Sequence, residues 1–318
     1  MSNQENNNRF KVAVIGAGSV GSTAAYSMMI DGVVSAIALI DINKEKAEGE
    51  ALDLCHGMQF TRSTAIYAGD SFELVADAKI IVLSAGFAQK PGGETRAGLL
   101  KKNVEVFKDI IPKIVQHNKD CILLVVTNPL DVLTYISWKL SGFPSCKVLG
   151  TGTVLDSSRL RFLLGQKFKI SPKDITAYIL GEHGDSEFAW WSGANIAGIP
   201  LKNLKEFKET EMNNIYEQVK NAAYEVINRK GATFYAIALV IAKIVRAILN
   251  DQYRVMTVSN VSENYQGFDR VCLSIPTIVR RSGICEKFDI DLDENEQKLF
   301  QDSAEKINAS ILEAEGLL

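Results

Sequence analysis

Short runs of consecutive apolar residues alternate with longer mixed segments along the first half of the chain. Because these runs lack polar alternation, they indicate strands buried on both faces, as in a parallel sheet covered by helices. The predicted strands are KVAVIG (11–16), AIALID (36–41), TAIYAG (64–69), KIIVLSAG (79–86), CILLVVTN (121–128) and KVLGTG (147–152). This alternation predicts an α/β fold with a doubly wound parallel sheet over residues 1–152.

The pattern changes after Gly152. Helical periodicity predicts a helix over about 154–168, long helices between about 208 and 250, and a last helix near 293–315. The β-rich runs between them are ITAYILG (175–181), VMTVSN (255–260), RVCLSIPTIV (270–279) and KFDIDL (287–292). We therefore expect residues 153–318 to form a mixed α+β second domain that packs closely against the first.

Composition restricts the range of partners. With 47% hydrophobic residues, 23% charged residues and a net charge of -3, the chain is typical of soluble globular proteins and has no basic excess for nucleic acid. The most apolar window (232–249) contains Lys243 and Arg246, which favours a buried helix over a membrane span. There is no signal-peptide pattern, and the five cysteines show no C-x-x-C spacing. We expect a cytoplasmic protein that binds small molecules and no metal, nucleic acid or membrane.

A glycine-rich turn, GAGSVG (16–21), directly follows the first predicted strand and precedes a helix-compatible segment. Its glycines permit a tight turn and a close approach of the backbone to a pyrophosphate, which the helix N-terminus would bind. Asp41, twenty residues after Gly21, can accept hydrogen bonds from the ribose hydroxyls and would repel a 2′-phosphate. The alternative is a structural turn with a surface aspartate. We predict a Rossmann site for NAD, with these cofactor-binding residues: Gly16, Gly18, Val20, Gly21 and Asp41.

The string LGEHGDS (180–186) places His183 between two glycines and two carboxylates at the end of a β-rich run. In LDSSR (155–159), Asp156 and Arg159 are three residues apart and project from one face of a predicted helix. Taken alone, these strings are also consistent with a structural histidine and a surface ion pair. The other two histidines, His56 and His117, are expected to be structural or surface residues.

Together these strings resemble those of the L-lactate dehydrogenase family, part of the lactate/malate dehydrogenase superfamily, and of its bacterial members in particular. The resemblance runs through VAVIGAGSVG, VTNPLD, GTGTVLDSSRLR, LGEHGDSEF and KGATFYAIA, and covers nearly the whole chain. It implies reversible hydride transfer between NADH and pyruvate, giving (S)-lactate and NAD, by a homotetramer.

The resemblance also implies a role for individual residues. His183 would be the proton donor and acceptor, Asp156 its orienting carboxylate and Arg159 the clamp for the substrate carboxylate. Physical chemistry supports this assignment, because an imidazolium can neutralise the alkoxide charge that develops as hydride reaches a ketone. A neighbouring carboxylate would raise the pKa of His183, and a guanidinium matches the two oxygens of a carboxylate.

Three further residues take roles from the resemblance. Arg96 matches a mobile-loop arginine that polarises the carbonyl, Asn128 a residue that hydrogen-bonds the substrate and nicotinamide region, and Thr233 the wall beside the substrate side chain. The glycine-rich segment 87–100 follows a predicted strand, and we interpret it as a lid that excludes water and brings Arg96 to the substrate.

The lid also bears on specificity. The specificity glutamine of the family lies one residue closer to the loop arginine than Gln89 lies to Arg96. An extra glycine at the lid tip, which a flexible turn absorbs easily, would leave Gln89 facing the substrate. Counted back from Arg96, Lys90 would face it instead and would suit a dicarboxylate. We favour Gln89.

Two alternative functions follow from the same residues: a malate or bulkier L-2-hydroxy-acid dehydrogenase, and a catalytically silent NAD-binding protein. A binding module needs the glycines but not the acid–base set, which argues against the second. Relatives activated by fructose 1,6-bisphosphate resemble this chain at Arg161 but carry histidine where Thr176 stands. We therefore expect weak or absent activation by that ligand.

Overall fold

The protein is described from a computed structural model that covers residues 10–88 and 96–318, except for the side chain of Arg96. The helices are α1 (Ser19–Asp31), α2 (Lys44–His56), α3 (Arg96–His117), α4 (Leu130–Ser141), α5 (Val154–Phe168), α6 (Glu209–Lys230), α7 (Tyr235–Leu249) and α8 (Glu294–Glu315). The strands are β1 (Lys11–Ile15), β2 (Ala36–Ile40), β3 (Ala65–Gly69), β4 (Ile80–Leu83), β5 (Ile122–Val125), β6 (Val148–Gly150), β7 (Ile175–Thr176), β8 (Ile179–Leu180), β9 (Phe188–Ala189), β10 (Asn195–Ile196), β11 (Ile199–Pro200), β12 (Arg254–Tyr265), β13 (Phe268–Arg280) and β14 (Gly283–Lys287).

The first six strands form the predicted parallel sheet, in the order β3-β2-β1-β4-β5-β6. Every residue of β1, β2, β4 and β5 is buried, as expected for strands covered by helices on both faces. The strand order reverses at β1, which lies between β2 and β4. In doubly wound sheets, ligands bind beyond the carboxyl ends of the strands at this switch point. The predicted fold class is confirmed.

The second half of the chain extends the same sheet. Strand β12 pairs antiparallel with β6 through Ser259 and Gly150, and β13 and β14 continue outward to make nine strands. One apolar cluster packs α3, α4 and α8 on the sheet, and a second packs α1, α2 and α7. A third cluster joins α5 and α6 to the short strands β7–β10.

Helix α7 (Tyr235–Leu249) forms most of the apolar window 232–249. Its buried residues pack in the second cluster, whereas Lys243 and Arg246 lie on its exposed edge. The prediction of a buried helix with a polar edge, made from Lys243 and Arg246, is therefore correct. Within the described residues, no helix combines the length and apolar character needed to cross a membrane.

Two predicted strands differ from the structure. The run 175–181 is broken into β7 and β8, which pair with different partners. The strand predicted at 287–292 is wrong, because β14 ends at Lys287. Beyond Lys287, side chains from other segments take the main-chain carbonyls: Tyr265 donates to Phe288 and Gln266 to Ile290. The segment alternates because Ile290 packs into the core while its neighbours are exposed, not because the segment pairs with a strand.

Candidate active site

At two of the three glycines of the turn, neighbouring main-chain atoms leave no room for a side chain. Gly16 has φ +100, and a Cβ there would lie 2.7 Å from the main-chain nitrogen of Ala85. A Cβ on Gly21 would lie 1.9 Å from the carbonyl oxygen of Gly16. At Gly18, which caps α1, a Cβ would meet nothing within 4 Å. Gly16 and Gly21 are therefore required for the turn itself, whereas Gly18 faces open space.

This open space fits a dinucleotide pyrophosphate. Helix α1 has no side-chain cap and no acidic residue in its first turn, so its N-terminal N–H groups and positive dipole face that space. Val20 is half-buried beside the turn and packs against the second apolar cluster. Asp41 follows β2, and its Oδ2 accepts the Ala17 N–H at 2.7 Å, which holds the carboxylate beside the glycine turn.

Asn128 lies at the same edge of the sheet, just beyond the end of β5. Its side chain is exposed, while its carbonyl oxygen accepts a hydrogen bond of 2.7 Å from Asn103 Nδ2 on α3. The Asn103 side chain also exchanges two hydrogen bonds with the main chain of Phe87, after β4. Asn103 thus holds together the segments that follow two strands, a role that no sequence pattern predicted.

His183, Asp156 and Arg159 come together as one hydrogen-bonded group. His183 Nδ1 lies 2.7 Å from Asp156 Oδ2, and Arg159 Nη1 donates to Asp156 Oδ1 at 2.6 Å. Asp156 and Arg159 share one face of α5, and the turn after β8 brings His183 to them. The Asp156 side chain is only 3% exposed, whereas that of His183 is 26% exposed. The carboxylate is therefore enclosed while the imidazole retains access to solvent.

Attraction between opposite charges in this group outweighs the cost of burying them. Burial opposes the charged ring of His183, but the charge and hydrogen bond of Asp156 outweigh it and raise the pKa of His183 to about 9. Burial likewise opposes the ionised form of Asp156, yet His183 and Arg159 lower the pKa of that carboxyl. The arrangement favours an imidazolium held against a carboxylate, as a proton donor at neutral pH requires.

Side chains from distant elements hold the main chain of the histidine turn. Asp131, in the first turn of α4, accepts the His183 N–H at 2.7 Å and is 2% exposed. Burial raises the pKa of Asp131 to about 6. From α8, Ser303 Oγ accepts the Glu182 N–H, and Lys306 lies 3.2 Å from the Glu182 carboxylate. No local sequence pattern predicted these contacts, although Asp131 stands in the string VTNPLD (126–131).

Glu187 completes the surroundings of His183 and was also missed. One carboxyl oxygen of Glu187, one of Asp156 and one ring nitrogen of His183 all lie within 4.8 Å of one another. This is close enough for a shared cation, but both oxygens of Asp156 already contact His183 and Arg159. The guanidinium would repel a metal ion there. The expectation that the chain binds no metal stays a prediction.

The remaining predicted site residues either lie outside the described part of the chain or make no described contact with the group around His183. Gln89 and Lys90 lie outside the described residues, as does the side chain of Arg96, whose backbone begins α3. Thr233 is half-buried in the turn between α6 and α7. Thr176 ends β7, and near it the Nε of Arg161 donates to the carbonyl of Ala177 at 2.8 Å.

The two remaining histidines lie apart from this group. His56 and His117 are exposed, and each stands in the last turn of its helix, α2 or α3. Of the two expectations for these histidines, structural or surface residues, their exposure agrees with the second.

Comparison with known proteins agrees with this geometry. Residues 10–150 match the NAD binding domain of lactate/malate dehydrogenase, and residues 153–317 match the alpha/beta C-terminal domain of lactate/malate dehydrogenase. The chain belongs to the lactate/malate dehydrogenase family. The glycine turn and Asp41 fall in the first matched region, and the group around His183 falls in the second. The family resemblance seen in the sequence is thereby confirmed.

Relatives named L-lactate dehydrogenase are similar to nearly the whole chain. The L-lactate dehydrogenase of Clostridium botulinum (strain Loch Maree / Type A3) is 50% identical over 315 residues, 98% of each chain. That of Acetivibrio thermocellus is 50% identical over 313 residues, 96% of this chain and 98% of its own.

Solved structures of lactate dehydrogenases have the same fold over nearly the whole chain. A lactate dehydrogenase from a Medee basin deep-sea metagenome library superposes with a TM-score of 0.92 at 39% identity, covering 96% of this chain and 99% of its own. The ligand-bound minor L-lactate dehydrogenase of Enterococcus mundtii gives a TM-score of 0.92 at 38% identity, covering 96% and 98%.

Proposed function

We propose that this chain is an NAD-dependent L-lactate dehydrogenase that interconverts pyruvate and (S)-lactate. The observation that carries the proposal is the group of His183, Asp156 and Arg159, in a chain half identical to L-lactate dehydrogenases. It combines a proton donor, the carboxylate that orients it and a guanidinium for a substrate carboxylate. A protein that only bound NAD would need none of these three.

In this mechanism the bound nicotinamide supplies the hydride, and the residues of the chain supply the proton and the alignment. Asp156 holds Nδ1 of His183, so Nε2 is the ring nitrogen that gives a proton to the carbonyl oxygen of pyruvate. One N–H of Arg159 binds Asp156, and the others of its planar fork bind the substrate carboxylate. We assign Arg96 to carbonyl polarisation, and Gln89, Asn128 and Thr233 to the substrate-binding surface.

The cofactor assignments follow the same division of the chain. Gly16, Gly18, Val20 and Gly21 would surround the pyrophosphate, and Asp41 would bind the ribose hydroxyls. Asn128 would reach the nicotinamide end. We further propose that residues 1–152 form the NAD-binding unit and residues 153–318 the catalytic unit of a cytoplasmic enzyme of fermentative glycolysis.

We also propose that the enzyme is a homotetramer. Tyr235 and Leu239 are 67% and 65% exposed, and they lie four residues apart on one face of α7. Neighbouring exposed apolar side chains of this size are typical of a surface that another subunit covers.

NADH oxidation with pyruvate, oxaloacetate and a branched 2-keto acid tests the proposed activity. We expect pyruvate to give the highest kcat/KM. His183→Asn should lower turnover by about a hundred- to ten-thousand-fold, because the proton donor is lost, while NADH affinity is unchanged. Loss of NADH affinity with retained turnover would contradict the assigned role, and preference for oxaloacetate would favour a malate dehydrogenase.

A further inference from the structure

Glu187 lies beside His183 and Asp156, but its carboxyl oxygen Oε1 is buried and has no hydrogen-bond partner among the described residues. The residue is 6% exposed, and one of its carboxyl oxygens lies within 4.8 Å of both an Asp156 oxygen and a ring nitrogen of His183. An ionised carboxyl buried in this way would lack the hydrogen bonds that such a charge requires. The protonation state of Glu187 therefore bears directly on the proton donor.

Charged groups from three elements face Glu187. Asp156 and Arg159 come from α5, His183 from the turn after β8, and Lys220 from α6. Both cations nearest the pair are already bonded to Asp156, one to each of its oxygens. Tyr216 of α6 also lies close, but its hydroxyl donates to the main-chain oxygen of Glu187 and not to the carboxyl group. Asp156 is thus the better stabilised of the two anions.

Two carboxylates this close in a buried site do not both ionise readily, because each raises the cost of charge on the other. Burial and the negative charge of Asp156 raise the pKa of Glu187 well above its ordinary value, and the nearby cations only partly oppose them. The same cations keep the pKa of Asp156 low. Geometry and charge therefore agree on which carboxyl keeps its proton.

We propose that Glu187 stays a neutral carboxylic acid at neutral pH, so that, among the described residues, Asp156 is the one carboxylate hydrogen-bonded to the His183 ring. The inference rests on the function proposed above, since it concerns how the proton donor is held. A second anion would offer the imidazolium a competing partner and would repel the substrate carboxylate from Arg159. A neutral Glu187 fills the space without either effect.

Infrared spectroscopy tests the protonation state without any turnover. The spectrum of the wild-type protein minus that of Glu187→Gln should contain the carbonyl band of a protonated carboxylic acid at neutral pH. Labelling with ¹³C-glutamate should shift the same band in the wild-type protein, so the test does not depend on the variant folding. A difference that shows only carboxylate bands would overturn the proposal, whether or not the protein reduces pyruvate.

Kinetics provide a matched comparison of the two neighbouring acids. Glu187→Gln replaces one neutral group by another, so the pH profile of kcat/KM for pyruvate should not move. Asp156→Asn makes the same acid-to-amide change on the ionised partner and should lower kcat by about a hundredfold or more. If Glu187→Gln lowers the midpoint of the profile by about one pH unit, a tenfold loss of proton affinity, Glu187 is ionised and the proposal is wrong.

Discussion

At the scale of single residues, Asp156 connects the two groups that we assign to the substrate, His183 and Arg159. One of its oxygens contacts the imidazole of His183 and the other the guanidinium of Arg159, at 2.7 and 2.6 Å. Each of these charges would be costly to bury alone, and each is stabilised by the others. Removing any one therefore leaves an uncompensated charge in the site.

The pKa of His183, raised to about 9, leads to a prediction about pH. Pyruvate reduction needs the imidazolium, so kcat/KM should be constant at neutral pH and fall about tenfold per pH unit once the pH passes the pKa. Lactate oxidation needs the neutral ring, so its kcat/KM should rise about tenfold per pH unit below the pKa and level off above it. Initial rates in both directions check this, and Asp156→Asn should move both profiles to lower pH. A reduction profile that falls from about pH 6.5, the ordinary histidine value, would contradict it.

At the scale of elements, the strand–turn–helix unit of β1 and α1 separates two uses of glycine. Gly16 and Gly21 are needed because the chain passes too close to itself for a side chain. Gly18 has φ −77, which any residue adopts, and open space where a Cβ would point. Its side of the turn is where the backbone would approach the pyrophosphate.

This difference predicts opposite outcomes for two alanine substitutions. Gly18→Ala should leave the thermal unfolding midpoint unchanged but weaken NADH binding about tenfold, or ~1.4 kcal/mol, because the methyl group occupies the ligand space. Gly21→Ala should destabilise the fold by about 1–3 kcal/mol through overpacking against Gly16. Fluorescence titration with NADH and thermal unfolding measure the two effects. Unchanged NADH affinity in Gly18→Ala would place the pyrophosphate elsewhere.

The segment 87–100, which we interpret as a lid, leads to a prediction about substrate specificity. If Gln89 faces the substrate, Gln89→Arg should shift preference from pyruvate towards oxaloacetate, because arginine pairs with the second carboxylate and is left unpaired by pyruvate. An unmatched buried charge costs roughly 3–5 kcal/mol, which corresponds to a few hundred- to a few thousand-fold in the ratio of kcat/KM values. Lys90→Gln is the control and should leave the ratio unchanged. If Lys90 governs the ratio instead, the register that we favour is wrong.

At the scale of the whole molecule, one nine-stranded sheet contains strands from both halves of the chain. Some helices around it expose large apolar side chains to solvent. Strand β12 pairs with β6, so β12, β13 and β14 belong to the same sheet as the strands of the first half. Outside this core, α7 leaves Tyr235 and Leu239 exposed, and the region after α2 leaves Phe60 85% exposed. Such positions are where subunits of an oligomer would meet.

The tetramer proposal predicts a position-dependent effect of charge. Leu239→Lys should dissociate the assembly, because burying an unpaired lysine in an apolar interface is strongly unfavourable. Leu312→Lys is a matched control, since Leu312 on α8 is 68% exposed against 65% for Leu239. Sedimentation velocity gives the mass of each variant, and circular dichroism checks that the helices are retained. A monomeric wild-type protein, or a Leu239→Lys variant that remains tetrameric, would count against the proposal.

The sequence by itself determined the features that depend on local spacing. The buried strands, the glycine turn with Asp41, and the pair Asp156 and Arg159 on one helix face could all be predicted, because strand alternation, turn geometry and helical periodicity act over a few residues. The same local rules failed at 287–292, where an alternating pattern did not make a strand. An alternating segment becomes a strand only when another strand pairs with it, and a local pattern does not contain that partner.

Only the tertiary structure decided which distant groups surround His183. Asp156 is 27 residues away along the chain and Asp131 is 52 residues away, yet each lies 2.7 Å from a nitrogen of His183. The protonation of Glu187 depends on the same packing, because its pKa follows from burial and from the charge of Asp156. Electrostatic interactions depend on distance in space and on access to water, and folding sets both.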